Sequence, residues 1–205
     1  QGLLLERVET VEIESAMAEA ARGFMPRNAS AYADPRSAIL IDDAKTYFSS
    51  RSRRYDIVIS EPSNPWVSGV SSLFTREFYR RIRGHLAPGG VLVQWFQLYE
   101  IDTSLLASVM RALGEEFPHY AVFAPSDSDL LIMAADTPIP LPPQARVFEQ
   151  PGVGKELWTV DMLTAGDLDA RYLGSRATLE PLFASYGTPP NSDYYPVLDL
   201  NAARH

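Results

Sequence analysis

At 205 residues with 46% apolar content, the chain suits one large domain, or one domain with a small appendage, and can bury a sizeable core. Its 18 basic against 26 acidic residues give a net charge of -8, and no run of Lys or Arg marks a phosphate-binding face, which argues against nucleic acid as a partner. The lack of cysteine excludes disulfides, thiolate metal sites and cysteine nucleophiles, and His85, His119 and His205 lie too far apart for metal-ligand spacing.

In chain order, the three leucines within residues 1–5 have no cap or turn before them and make a poor start for a domain. The segment 8–14 (VETVEIE) alternates, with Val11 and Ile13 on one side and Glu12 and Glu14 on the other, as a strand does. Carboxylates at such a strand end either are solvated or accept hydrogen bonds from a diol such as ribose. Ser15 is placed to cap a helix over residues 16–22. A second short strand, 37–41, runs into Asp42 and Asp43, and a helix over 44–50 follows. Asp43 is therefore a helix N-cap, an acceptor for an exocyclic amine such as that of adenine, or both.

The stretch 55–73, YDIVISEPSNPWVSGVSSL, is the centre of the chain. Ile57, Val58 and Ile59 predict a central parallel strand buried on both faces, which stops at Glu61, Pro62 and Pro65. Ligands of open α/β sheets sit beyond the carboxyl ends of such strands, which puts Glu61, Ser63 and Asn64 where chemistry is expected, unless Glu61 only caps a turn. Ser68, Ser71 and Ser72 lie nearby but lack the G-x-S-x-G elbow of a serine hydrolase.

Next, Phe78, Tyr79, Ile82 and Leu86 have helical spacing over 75–86. Pro88, Gly89 and Gly90 end that helix and lead into a buried strand over 91–96. A helix over 102–116 buries Leu105, Val109, Met110 and Leu113, and the turn at 126–129 predicts an antiparallel pair from 121–123 and 130–134. Strand and helix alternate to this point, the pattern of a doubly wound α/β sheet ending near Ala135. The five prolines from 136 to 151 mark an irregular connection; helices are expected over 159–172 and 177–186, and an extended end over 195–200. The expected division is thus 1–135 and 136–205. No apolar run approaches 18 residues and no signal-peptide pattern opens the chain, so it reads as soluble and cytoplasmic.

VEIE at 11–14, DDA at 42–44, YDIVISEPSNPW at 55–66, SLFTREFY at 72–79 and LAPGGVLVQW at 86–95 together resemble the spermidine synthase (polyamine aminopropyltransferase) family. The nearer likeness is to its bacterial branch often fused to membrane-spanning segments; NSDYYPVLDLNAAR at 191–204 is similar to that branch's ending. The resemblance implies a Rossmann-like S-adenosylmethionine-dependent methyltransferase fold: a doubly wound, mostly parallel sheet with a C-terminal antiparallel pair. It implies transfer of an aminopropyl group from decarboxylated S-adenosylmethionine to an amine, with no tightly bound cofactor. Glu12 would hold the ribose hydroxyls, Asp43 with Ala44 the adenine, and Glu61 would stand at the catalytic aspartate's position and also border the bound nucleoside. Asn64 falls where the family has a second aspartate that helps hold the amine, residues 67–73 would form the closing loop, and Gln94 and Gln97 would line the amine channel.

The family's glycine-rich first strand and turn have no counterpart after Gln1. A piece of a longer protein, or a sheet completed by another chain, is therefore expected, and the whole could be the cytoplasmic part of a membrane protein. A homodimer is what the resemblance implies. Two alternatives stay open: methyl transfer from S-adenosylmethionine, because the fold serves both reactions and Asn64 lacks the second carboxylate, or a catalytically silent domain that binds a nucleoside or polyamine.

Overall fold

The computed structural model describes residues 5–65, 67, 69–99, 101–141, 145–150 and 152–201; Trp66, Ser68, His205 and the linker residues Pro142, Pro143 and Pro151 lie outside this set. Its elements are β1 (Val8–Glu12), α1 (Ser15–Ala20), α2 (Ala29–Ala33), β2 (Ser37–Ile41), α3 (Ala44–Ser50), β3 (Tyr55–Ser60), α4 (Arg76–Gly84), β4 (Leu86–Gln97) and α5 (Thr103–Glu116). Then come β5 (His119–Ser126), β6 (Asp129–Ala135), α6 (Val153–Trp158), α7 (Ala165–Asp169), β7 (Tyr172–Ser175), α8 (Arg176–Ser185) and α9 (Val197–Asn201). Two compact units divide the chain: Gln1–Ser52 with Ala145–Leu163, and Arg53–Gln144 with Thr164–His205. The segment 136–205 is thus shared between them.

In the first unit β1 and β2 pair in parallel, with Glu12 opposite Ile41. The helix after β1 is capped by Glu14, whose carboxylate accepts from the Ala16 amide at 2.9 Å, and not by Ser15, which is its first residue. The Glu14 carboxylate satisfies an amide of the first turn and adds charge favourable to the helix dipole. Helix α3 buries Tyr47, whose hydroxyl donates to the Glu9 carboxylate at 2.9 Å. Asp34 and Arg36 form a forked ion pair before β2. Hydrogen bonds from the Arg36 guanidinium and amide hold the Asp34 carboxyl down at about 2.

The second unit carries a five-stranded sheet in the order β3-β4-β6-β5-β7. β4 is its hub, parallel to β3 and antiparallel to β6. Leu92 and Phe96 of β4, Ile132 of β6, and Tyr79, Ile82, Met110 and Leu113 of α4 and α5 are fully buried and form the core. Gly89 takes a left-handed φ of 79°, and a Cβ on Gly90 would stand 2.9 Å from the backbone oxygens of both Ala87 and Tyr55, so these two positions need glycine.

Four expectations need correction here. β3 is an edge strand: Val58 is buried, but Ile57 and Ile59 are 61% and 64% exposed, because β3 pairs with β4 alone and its second face is uncovered among the described residues. Helix α4 stops at Gly84, and Leu86 already pairs with Tyr55 in the sheet. Residues 159–172 are not one helix: Asp161 has a φ of 56°, and Thr164 restarts the chain as α7 through a reciprocal cap with Asp167. Residues 172–175 form β7 against β5, and the expected extended end is instead helix α9.

Candidate functional site

The carboxyl ends of the parallel strands carry the chemical groups. In the first unit, the Asp42 amide donates to the Glu12 carbonyl at 3.1 Å, which sets the exits of β1 and β2 side by side. Glu12 is half-buried, and one of its carboxylate oxygens accepts from the Glu14 amide at 2.9 Å. Asp43 caps α3 by accepting from the Thr46 amide at 2.8 Å, so the capping role is real; Ala44 is the first residue of that helix. Glu12, Asp43 and Ala44 therefore lie at the ends of two hydrogen-bonded strands.

In the second unit, Ser60 ends β3 in register with Gln94 of β4. Gln94 is fully buried; its Nε2 donates to Ser60 Oγ at 3.2 Å, while its Oε1 is buried with no hydrogen-bond partner. A buried acceptor without a donor is costly, on the order of 1–3 kcal/mol, and marks a place where a donor from elsewhere would be held. Gln97 Oε1 is likewise buried and unpartnered. The two glutamines are three residues apart on one strand, so they project from opposite faces, Gln94 with Leu92 and Phe96, Gln97 with Trp95.

Glu61 follows β3 directly and is exposed. Asn64, half-buried, accepts at Oδ1 from the Tyr99 hydroxyl at 3.0 Å. Tyr99 was not singled out by the sequence, although its place just past the end of β4 is where such groups gather. Beyond Asn64 the loop runs in tight turns: the amides of Val67 and Val70 donate to Asn64 and Val67 carbonyls, each at 3.0 Å, and Gly69 has a φ of 89°. Among the described residues no cluster of His, Asp or Glu is arranged to hold a metal ion.

A spermine/spermidine synthase domain matches residues 4–128. The chain is 36% identical over 90 residues to the polyamine aminopropyltransferase of Klebsiella pneumoniae, covering 43% of this chain and 31% of that protein. It therefore spans about a third of the length of that relative. A probable spermidine synthase from Corynebacterium glutamicum superposes with a TM-score of 0.64 at 21% identity, covering 91% of this chain and 63% of that one. A spermidine synthase in complex with the transition state analogue AdoDATO gives 0.58 at 24% identity, covering 66% and 48%. The fold is the Rossmann-like methyltransferase fold of these synthases. With the matching domain model covering more than half its length, the chain belongs to the spermine/spermidine synthase family.

Proposed function

We propose that this chain is the part of an aminopropyltransferase that binds the sulfonium nucleoside and aligns the amine. The observation that carries the reading is Glu61 at the exit of β3, directly after Ser60, which stands in register with Gln94, whose buried Oε1 has no partner. An ammonium group is all donors, so a carboxylate and an orphaned carboxamide oxygen are the partners it needs.

In the proposed reaction the amine nitrogen attacks the carbon beside the sulfonium of decarboxylated S-adenosylmethionine. The N–C bond forms, the C–S bond breaks, and its electron pair returns to sulfur as methylthioadenosine leaves. Glu61 orients the cation and accepts the proton lost by the amine, which as a general base contributes ~10²–10⁴-fold. Asn64 helps place the acceptor; Gln97, which projects from the face of β4 opposite Gln94, would meet a different part of the amine. Glu12 accepts from the ribose hydroxyls, and Asp43 and Ala44 meet the adenine. The free oxygens left by their structural bonds are compatible with this: Asp43 uses Oδ1 for the cap, and Glu12 uses one oxygen for the Glu14 amide. The resemblance supports a homodimer and a cytoplasmic location for the reaction; no described helix is long and apolar enough to cross a membrane.

The test is product analysis with decarboxylated S-adenosylmethionine and a panel of primary amines. Methylthioadenosine and an aminopropylated amine are expected, with Glu61→Gln lowering kcat by two to four orders of magnitude. S-adenosylhomocysteine formed from intact S-adenosylmethionine would replace this reading with methyl transfer, and nucleoside binding without turnover would leave a silent binding domain.

A further inference from the structure

The loop that carries Glu61 and Asn64 is held at its far end by one residue from the other end of the chain. Asn191 is fully buried, and every polar atom on it is engaged. Its Nδ2 donates to the carbonyls of Ser71 at 3.3 Å and Phe74 at 3.0 Å. Its Oδ1 accepts from the Leu198 amide at 3.2 Å. Its backbone oxygen accepts from the Arg76 amide at 2.9 Å, and its backbone amide donates to Ser108 of α5 at 3.1 Å. Asn191 thus ties four elements together: the 3-10 turn over 70–74, the start of helix α4, helix α5 and the C-terminal segment.

Its neighbours repeat the attachment. Thr75 Oγ1 donates to the Asp193 carboxylate at 2.8 Å. Glu77 accepts from the Ser192 hydroxyl at 3.0 Å and from the Asp193 amide at 2.9 Å. On the other side the Ser108 hydroxyl donates to Pro189 O at 2.6 Å, and Arg111 donates to the Thr188 carbonyl. At its start the loop is fixed by the β3–β4 ladder, where Ser60 pairs with Gln94. Between these two anchors the Tyr99 hydroxyl donates to Asn64 Oδ1. A segment pinned at both ends has its path set by where the ends are fixed.

We infer that Asn191 is a positioning residue for the acceptor amine: by fixing the carbonyls of Ser71 and Phe74 it sets the path of the loop bearing Glu61 and Asn64. This rests on the aminopropyl-transfer reading. It concerns the amine and not the nucleoside, because the nucleoside roles are assigned to Glu12 and Asp43 in the other unit. A displacement of about an ångström in such a loop can cost on the order of 100-fold in rate.

The test uses the intact protein with Asn191→Ser, which is too short to reach both carbonyls, and Thr75→Val, a same-shape change that cuts the links to Asp193 and Ser72 and the cap on α4 but leaves Asn191 in place. Hydrogen exchange followed by mass spectrometry reads the loop: the Ser71 and Ser72 amides report the turn itself, and the Arg76 amide reports the bond to the Asn191 main-chain oxygen, which Asn191→Ser retains unless the turn moves. Exchange in peptides covering 70–76 should rise at least tenfold in Asn191→Ser and less in Thr75→Val, with β4 and β6 peptides unchanged. KM for the amine should rise about tenfold while the dissociation constant of methylthioadenosine changes less than twofold. Unchanged loop exchange, or equal losses of amine and nucleoside binding, would overturn the inference. So would faster loop exchange with an unchanged amine KM. If the wild-type protein transfers no aminopropyl group, the functional reading fails and the kinetic half fails with it; the exchange result still decides whether Asn191 is the anchor.

Discussion

Tyr99 and Asn64 join the two loops that leave β3 and β4, through a hydroxyl-to-carboxamide hydrogen bond of 3.0 Å. The bond occupies one lone pair of Asn64 Oδ1 and turns the rest of the carboxamide to a fixed direction. A net value near 1 kcal/mol is usual for such a bond. Tyr99→Phe should therefore raise the amine KM about fivefold and leave the melting temperature within about a degree of wild type, because Tyr99 is half exposed and its ring stays in place. Steady-state kinetics with varied amine checks this.

Gln94→Leu keeps the volume of the fully buried side chain but removes the oxygen proposed to receive the ammonium. Amine kcat/KM should fall by about 10–100-fold, in line with about 1.4–2.8 kcal/mol. Stability should change by less than about 1.5 kcal/mol, since a buried acceptor without a partner disappears along with the weak bonds to Ser60. Denaturant unfolding beside the kinetics separates the two effects. A large loss of stability with unchanged catalysis would count against the role of Gln94.

Acid should loosen the C-terminal attachment before it unfolds the unit. Burial pushes the Glu77 carboxyl up, but hydrogen bonds from the Asp193 amide, its own backbone, the Ser192 hydroxyl and Arg76 outweigh this and hold it below the ordinary value of 4.5. For a depressed carboxyl, the native state binds protons less readily than the unfolded chain. Its stabilisation is then complete above the ordinary value and is lost as pH falls through the folded one. Asp34 behaves alike in the first unit, over the range from its ordinary 3.8 down to about 2. Melting temperature should therefore decline from about pH 5 downwards, and Glu77→Gln should flatten the upper part of that decline. An identical pH profile in the variant would show that Glu77 does not matter to it.

Gly90→Ala should destabilise the protein by about 2–3 kcal/mol, because the added methyl meets two backbone oxygens at 2.9 Å, and neither can swing away as a side chain would. Thermal unfolding measures this directly. Gly84→Ala, with nothing near its Cβ, is the matched control and should be neutral or stabilising.

Elements with a strong local signal were legible in the sequence. Strand β2 runs over 37–41 and helix α3 over 44–50, as read from a short apolar run, an aspartate cap and a polar stop. Helix α5 starts after its cap Asp102, which accepts from Ser104, and buries Leu105, Val109, Met110 and Leu113. What was not legible depends on partners distant in the chain. β7 is four residues long, and it is a strand only because Ala121, Val122 and Phe123 of β5 offer an edge. Ile57 and Ile59 look like core by composition, and their exposure follows from the face of β3 they share being uncovered among the described residues. Asp43 displays its cap in the sequence, whereas Tyr99 and Asn191 look like ordinary loop residues until the fold brings them to Asn64 and Ser71.

The bond from Asn191 to Ser71 spans 120 residues. On a ribosome adding roughly 5–20 residues per second, the two partners emerge on the order of ten seconds apart. During that interval β3, β4 and α5 can already be made and can dock, but the turn over 70–74 has no buried amide to hold its carbonyls. The acceptor loop therefore takes its final form late in synthesis, after β3, β4 and α5. A nascent chain stalled before residue 191 would carry the groups assigned to chemistry without their arrangement.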